Sequence, residues 1–367
     1  MKLAVLGGGS GCLATAADLA LAGHRVRLWR RSEADLKPLR EGITLAAEQR
    51  QGKVALDLVT ADLAAALDGA EVVIAPLPAT THEDLANRLA PHLRDWQVVL
   101  LAPGTLGSYV LAREIARAGG ILPYALAETG TLPYLCRKTG PAAVAAPVRA
   151  ANLPVGVFPA SRGPAVLARV AELFPSVRPC ADALDVALTN AGAVIHPPLV
   201  LLNAGAIDGG RFDIHAAGTT ASARRLIDAV DAERLAARRG WGYPAPDYEL
   251  ATYYDEAHAA EGLYGAGAKQ KLVASGLWSE VVTFEHRYVT EDVVMGLSLF
   301  ESAARTASVS SRAITALLGV FGALLGRELS GGGRALEALG LGDFALREIR
   351  GLLHEGWTSP LWPKVLR

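Results

Sequence analysis

An excess of either charge is missing from this chain: 36 lysines and arginines face 37 aspartates and glutamates, for a formal net charge of -1. That balance carries neither the basic footprint of a nucleic-acid binder nor an attraction to anionic lipid, so small molecules are the expected partners. Cysteine is scarce. Cys12, Cys136 and Cys180 are odd in number and far apart, which excludes a disulfide framework and zinc-type spacing; no metal is expected, and a reducing cytoplasm is the expected location. Long apolar runs are missing too: AITALLGVFGALLG (313–326) has 14 residues, short of the roughly 20 that a spanning helix needs, and reads as a buried helix without a membrane role. The opening MKLAVLGGG lacks the apolar core and small-residue cleavage site of a signal peptide. Lysine, finally, is absent between Lys138 and Lys269.

What is present is a chain of 367 residues, 51% hydrophobic and 20% charged, long enough for two domains that each bury a core. Through its first half, short β-branched runs alternate with Ala/Leu-rich helical runs. KLAVLG, RVRLW, AEVVIAPLP, WQVVLLAPG and ILPYALAE read as strands, and SGCLATAADLALAG, HEDLANRLAPHL and SYVLAREIARAGG as helices, the pattern of a parallel sheet wrapped by helices. After Cys180 the strand signals fade and amphipathic stretches at 183–203, 219–239 and 291–326 take over. The expected boundary lies near residue 181, giving an α/β domain over 1–181 and a mostly α-helical substrate and catalytic domain over 182–367. GYPAPDYE (242–249) and SGGGRALEALGLGD (330–343) read as loops inside the second.

Gly7-Gly8-Gly9-Ser10-Gly11-Cys12 follows the first strand and opens a helix. In that setting it is the fingerprint of a Rossmann-type dinucleotide site: Gly7 allows the turn, Gly9 lets backbone N–H groups approach a pyrophosphate, and the helix N-terminus favours its charge. Gly7, Gly9, Ser10, Gly11 and Cys12 are the expected contacts, with Cys12 standing where a third glycine is usual and read as a packing residue. At the end of the second strand, where an NAD enzyme usually places Asp or Glu, stand Arg30, Arg31 and Ser32. Two guanidiniums and a hydroxyl suit a 2′-phosphate, so NADPH is expected in preference to NADH. The alternative is that the arginines are solvated and Glu33 binds the ribose. Pro78, in APLPATTHED after the next strand, is a further expected cofactor contact; His82 in the same segment either faces a ligand at the sheet edge or begins a helix capped by Thr80 or Thr81.

Reduction of C=O or C=N by a nicotinamide needs a proton donor. In two-domain enzymes of this kind, a lysine on the first long helix after the nucleotide domain is one solution, and the lysine-free stretch excludes it here. In that place sits His196, in the run NAGAVIHPPLVLLN (190–203), able to pass a proton from one ring nitrogen while the other is held. Packing is the competing role for a histidine in an apolar run; Pro197 and Pro198 are expected to break the helical ladder and open the site to a cleft. An orienting carboxylate is needed, and Asp292 in EHRYVTED (285–292) is the best candidate. Its alternative is a place in the first turn of a helix capped by Thr290, while Arg287 is either surface charge or a fork for a substrate carboxylate.

Taken together, these segments resemble the opine dehydrogenase family, the octopine, nopaline and related N-carboxyalkyl amino-acid dehydrogenases, over nearly the whole length. ETGTLPYLCR (128–137), NAGAVIHPPLVLLNAG (190–205) and HRYVTEDVVMGL (286–297) carry the likeness, with GGGSG…AGHRVRLW, RFDIHAAGTTAS and DAERLAARRG beside them. The resemblance implies reductive condensation of an α-keto acid with the amino group of an amino acid, with His196 acting with Asp292 and Arg287 supporting the pair or the keto-acid carboxylate. Expected substrate contacts are Thr131, Tyr134, Asn203, His215 and Tyr254. Relatives often carry an aromatic residue and, two positions on, a glutamate where FDIHAAGTT has His215 and Ala217, so a less charged or more hydrophobic amine is expected. A 2-keto or 2-hydroxy acid oxidoreductase without an amine, and a non-catalytic NADPH-binding protein, are the competing functions. The apolar C-terminal segment LREIRGLLHEGW (346–357) could form a homodimer interface or close the helical domain.

Overall fold

The computed structural model describes residues 1–210, 212–276 and 281–367, with the side chain of Tyr254 outside the described set. Eight strands form one twisted sheet in the spatial order Val177–Pro179, Leu153–Phe158, Ala125–Thr129, Val98–Leu101, Val72–Ala75, Lys2–Leu6, Arg25–Trp29 and Leu58–Thr60. The five strands read from the sequence are all there. Val72–Ala75 and Val98–Leu101 are buried at every residue, as expected of strands covered on both faces, which is why they read as unbroken VVIA and VVLL. From Lys2–Leu6 the chain builds outward first to one side and then, from Val72–Ala75, to the other. The crevice at that reversal, beyond the carboxyl ends of the two strands, is bounded by the glycine loop and by residues 76–81; ligands bind at such switch points.

Two features depart from the expected parallel sheet. Leu153–Phe158 runs antiparallel to Ala125–Thr129, because the chain between them forms a hairpin instead of a helical crossover, and only a crossover returns a strand in parallel. That hairpin, Tyr134–Gly140 with Ala143–Arg149, joins Ile43–Ala47 and Gly52–Val54 in a second, four-stranded sheet packed on the helix Ser10–Leu21. Alanine-rich sequences such as ITLAA and AVAAPVR have weak strand propensity, and their alternating burial becomes visible only once the helix beneath them is in place.

Beyond Val177–Pro179 the structure is helical. The apolar stretch 183–202 meets a length and composition test for crossing a membrane, but 78% of it is buried within the protein. It is also two helices, Ala183–Ala187 and Gly192–Leu202. Ala221–Gly240 follows, with the Thr220 hydroxyl accepting from the Ala223 N–H as an N-cap. Tyr288–Leu297, Ser298–Thr306 and Arg312–Leu325 complete the bundle. The C-terminal helix Leu346–Glu355 does not close the bundle alone. Trp357 and Trp362 pack against Phe158, and Trp362 also against Tyr109, tying the end of the chain to the large sheet and its helices.

Candidate active site

The glycine loop has the geometry a dinucleotide needs. Gly7 sits at φ +117° and its N–H donates to Trp29 O at 2.8 Å; a side chain there would be strained and would also strike Cys12 and Leu77 at 2.7 Å. Space above Gly9 is open, and no side chain caps the helix that Gly9 begins, so a pyrophosphate fits the unshielded first turn. Ser10 Oγ accepts from the Lys138 N–H at 3.1 Å, and Gly11 packs toward Leu132 and Pro76. The Cys12 thiol is fully buried, donates to Leu6 O and Pro76 O, and burial pushes its pKa up to about 11. It is packing and not a reactive thiolate. Arg30 lies over Gly8 and pairs with Asp35 at 2.7 Å. Arg31, Ser32 and Pro78 are exposed around the crevice, whereas Glu33 is engaged by Arg40 at 2.6 Å.

A cavity connects this sheet edge, at Pro103 and Leu132, with the helical half of the chain, where His196, Arg287, Tyr288 and Asp292 line it. His196 Nδ1 lies 2.6 Å from Asp292 Oδ2, with the two side chains 13% and 5% exposed. The imidazole stacks on Tyr288 at 3.5 Å between ring centroids, 14° from parallel, and Tyr288 OH meets His215 Nε2 at 2.8 Å. The Arg287 guanidinium sits 5.3 Å from the Tyr288 ring centre and 3.9 Å from Glu291. Burial raises the pKa of Asp292 and of its neighbour Glu291, and the positive charge of Arg287 works against the rise in both.

Local sequence explains how the two helices bring these groups together. A Cβ on Gly192 would lie 2.7 Å from Asp292 Oδ1, and one on Gly296 would lie 2.4 Å from the Ala193 Cβ. Two glycines at the crossing therefore let the backbones approach within reach of an imidazole–carboxylate bond. The Asp292 helix is a π-helix, a geometry often found at functional positions. Two expectations change. Pro197 and Pro198 lie inside the helix Gly192–Leu202 without ending it; what they remove is the N–H donors that would serve the Ala193 and Val194 carbonyls. Thr290 is not an N-cap, since the helix has already begun at Tyr288.

The remaining sequence candidates divide. Thr131, Tyr134 and His215 line the cavity, with the Thr131 hydroxyl bonded to Tyr264 and the Tyr134 hydroxyl donating to Asp18 at 2.6 Å. Asn203 is not among the cavity-lining residues and spends its amide on the carbonyls of Leu199 and Gly218. Tyr254 ends the helix Ala251–Tyr254, and its side chain lies outside the described set; Tyr253 and Tyr264 are the tyrosines on that wall. His82 begins the helix His82–Leu89, fully buried and away from the cavity, and burial lowers its pKa to about 3. Sequence reasoning missed Tyr288, although it lies inside the HRYVTED segment, and Arg137 and Lys269, which add positive charge to the cavity wall.

Comparison with known proteins agrees with this architecture. The family model described as NAD/NADP octopine/nopaline dehydrogenase, alpha-helical domain, matches residues 179–325, and that of the NAD-dependent glycerol-3-phosphate dehydrogenase N-terminus matches residues 2–107. An opine dehydrogenase of Arthrobacter sp. (strain 1C) is 29% identical over 350 residues, 95% of this chain and 97% of that protein. An octopine dehydrogenase solved with NADH and agmatine superposes with a TM-score of 0.72 at 19% identity, over 96% of this chain and 98% of that one. A yersinopine dehydrogenase solved with NADP+ gives 0.63 at 14% identity, over 98% of each. Over nearly its whole length the chain is thus similar to opine dehydrogenases, and its residues 179–325 match the helical domain of that family.

Proposed function

We propose that this protein is an NAD(P)H-dependent oxidoreductase that condenses an α-keto acid with the amino group of an amino acid or related amine and reduces the product to a secondary amine, reversibly. One observation carries the reading: a largely buried imidazole–carboxylate pair, 2.6 Å apart, opens on a cavity whose opposite wall includes Leu132, the side chain that packs on Gly11 of the glycine loop. Residues 1–181 form the nucleotide domain in this reading and 182–367 the catalytic one.

With Nδ1 committed to Asp292, proton exchange with substrate falls to Nε2 of His196. His196 takes a proton from the substrate ammonium, so that the nitrogen can attack the keto carbon. It returns that proton to the carbinolamine oxygen, which leaves as water and gives the protonated imine. A reduced nicotinamide, when bound, supplies hydride to the imine carbon, and the neutral amine so formed takes up one proton from solvent through the same imidazole. Asp292 holds the ring in one tautomer and balances its positive charge. Arg287, on the cavity wall, binds the keto-acid carboxylate. Thr131 and His215 contact the amine substrate.

NADPH is the preferred cofactor in this proposal. Arg30 beside the glycine loop, and the exposed Arg31 and Ser32, support it, and Glu33, the alternative ribose ligand, pairs with Arg40 at the surface. Three free cysteines suit a cytoplasmic location. Following NADPH oxidation across a grid of keto acids and amines, each keto acid with and without the amine, tests the function. Oxidation that requires both is expected; oxidation that ignores the amine indicates a simple keto-acid reductase, and none with any pair contradicts catalysis altogether.

A further inference from the structure

Residues 76–81 join the strand Val72–Ala75 to the helix His82–Leu89 and form one wall of the dinucleotide crevice. At its centre is Ala79, with 1% of its surface exposed. Its backbone is held from both sides by the helical half of the chain. Glu291 Oε1 accepts the Ala79 N–H at 2.9 Å, and Arg334 Nη2 donates to the Ala79 carbonyl at 2.7 Å. Both side chains are almost completely buried, Glu291 at 5% exposure and Arg334 at 2%. Glu291 is the chain neighbour of Asp292, on the same π-helix, and Arg334 comes from the glycine-rich segment 330–343.

We propose that Glu291 is a positioning residue, which with Arg334 clasps Ala79 and so fixes the wall of the cofactor crevice at a set distance from the His196–Asp292 pair. The physical logic is one of shared rigidity. A loop that borders the hydride donor belongs to one half of the chain and the proton donor to the other, and transfer needs both placed to within a fraction of an ångström. Buried hydrogen bonds to a charged or strongly dipolar side chain are among the stronger ties available for this. One tie made by the residue next to Asp292 transmits any displacement of the loop directly to the carboxylate that steers His196. The inference rests on the proposed function for its catalytic consequence, but the clasp is measurable without it.

The test compares Glu291→Gln, whose amide oxygen still accepts from Ala79, with Glu291→Met, which fills the same space without an acceptor. Amide hydrogen exchange of the peptide spanning 76–81 is the first readout, and kcat and the NADPH dissociation constant are the second. The expected result is exchange about 10-fold faster or more in E291M, with E291Q close to wild type, and kcat falling about 10-fold in E291M with rescue in E291Q. Should E291M fail to fold, E291A carries the same comparison. Unchanged exchange in the acceptor-free variant overturns the clasp, as does equal acceleration in E291Q. Intact kcat in a variant whose 76–81 segment has loosened overturns the positioning role. A protein that turns over no amine and keto-acid pair contradicts the proposed function while leaving the exchange result to decide the clasp.

Discussion

In the proposed mechanism His196 and Asp292 divide one task, and each half can be removed alone. Asn in place of Asp292 keeps the size of the side chain but can present an N–H to Nδ1 and cannot balance an imidazolium. We expect Asp292→Asn to lower kcat by roughly 10²- to 10⁴-fold with the NADPH dissociation constant little changed; stopped-flow turnover with parallel fluorescence titration measures both. His82 is a histidine of another kind. Its buried ring titrates at about 3, against an ordinary 6.5 in the unfolded chain, so between those values the unfolded state binds the extra proton. The stability tied to keeping it neutral is complete above about pH 6.5 and is lost progressively as pH falls toward 3. Urea unfolding at pH 7 and pH 5 therefore should show a smaller acid loss in His82→Leu than in wild type; an equal loss would remove His82 as a contributor. His196 was legible in the sequence because no lysine occupies its stretch, and Asp292 because of the motif around it. Glu291 and Arg334 were not, since what they hold is the backbone of a residue more than 200 positions away, and no pattern of side chains announces such a partner.

At the scale of elements, the site depends on how closely Gly192–Leu202 and Tyr288–Leu297 cross. Gly296→Ala should push the two helices apart at Ala193, costing about 1–3 kcal/mol as an overpacked core contact, read as a lower unfolding midpoint. Gly192→Ala should instead act mainly on chemistry, because the added methyl meets the Asp292 carboxylate itself. Loss of kcat larger than loss of stability is the expected signature in that variant, and the reverse ordering would contradict this account of the crossing. The helices themselves were readable from apolar spacing. Their true limits were not: the proline pair sits within the helix Gly192–Leu202, and the turns around Asp292 are those of a π-helix. The four strands of the second sheet escaped for a related reason, since alanines dilute the strand propensity of Ile43–Ala47 and Ala143–Arg149 and Gly52–Val54 is only three residues long.

For the whole molecule, the two halves are joined through the 76–81 loop, through Tyr109 and Arg113 bonding Leu339 O, and through the C-terminal tryptophans. The proposed cofactor preference rests on the residues that follow the strand Arg25–Trp29. Arg31→Glu, at an exposed position, should raise the KM for NADPH at least about 10-fold while leaving that for NADH within a few-fold; an equal effect on both would place the 2′-phosphate elsewhere. The order of domains and the ligand crevice at the switch point of the sheet followed from strand and helix alternation plus one glycine loop, because a parallel sheet constrains where its ligand goes. The proposed amine remained the least legible partner, since the cavity is lined from segments scattered between Pro103 and Asp292.

The central claim is that one imidazole moves the proton. Replacing His196 by alanine and measuring kcat for NADPH oxidation with an active amine and keto-acid pair, alongside the NADPH dissociation constant of the same protein, tests it most directly. The account predicts a kcat reduced about 10²-fold or more with cofactor affinity unchanged; turnover within a few-fold of wild type would contradict it.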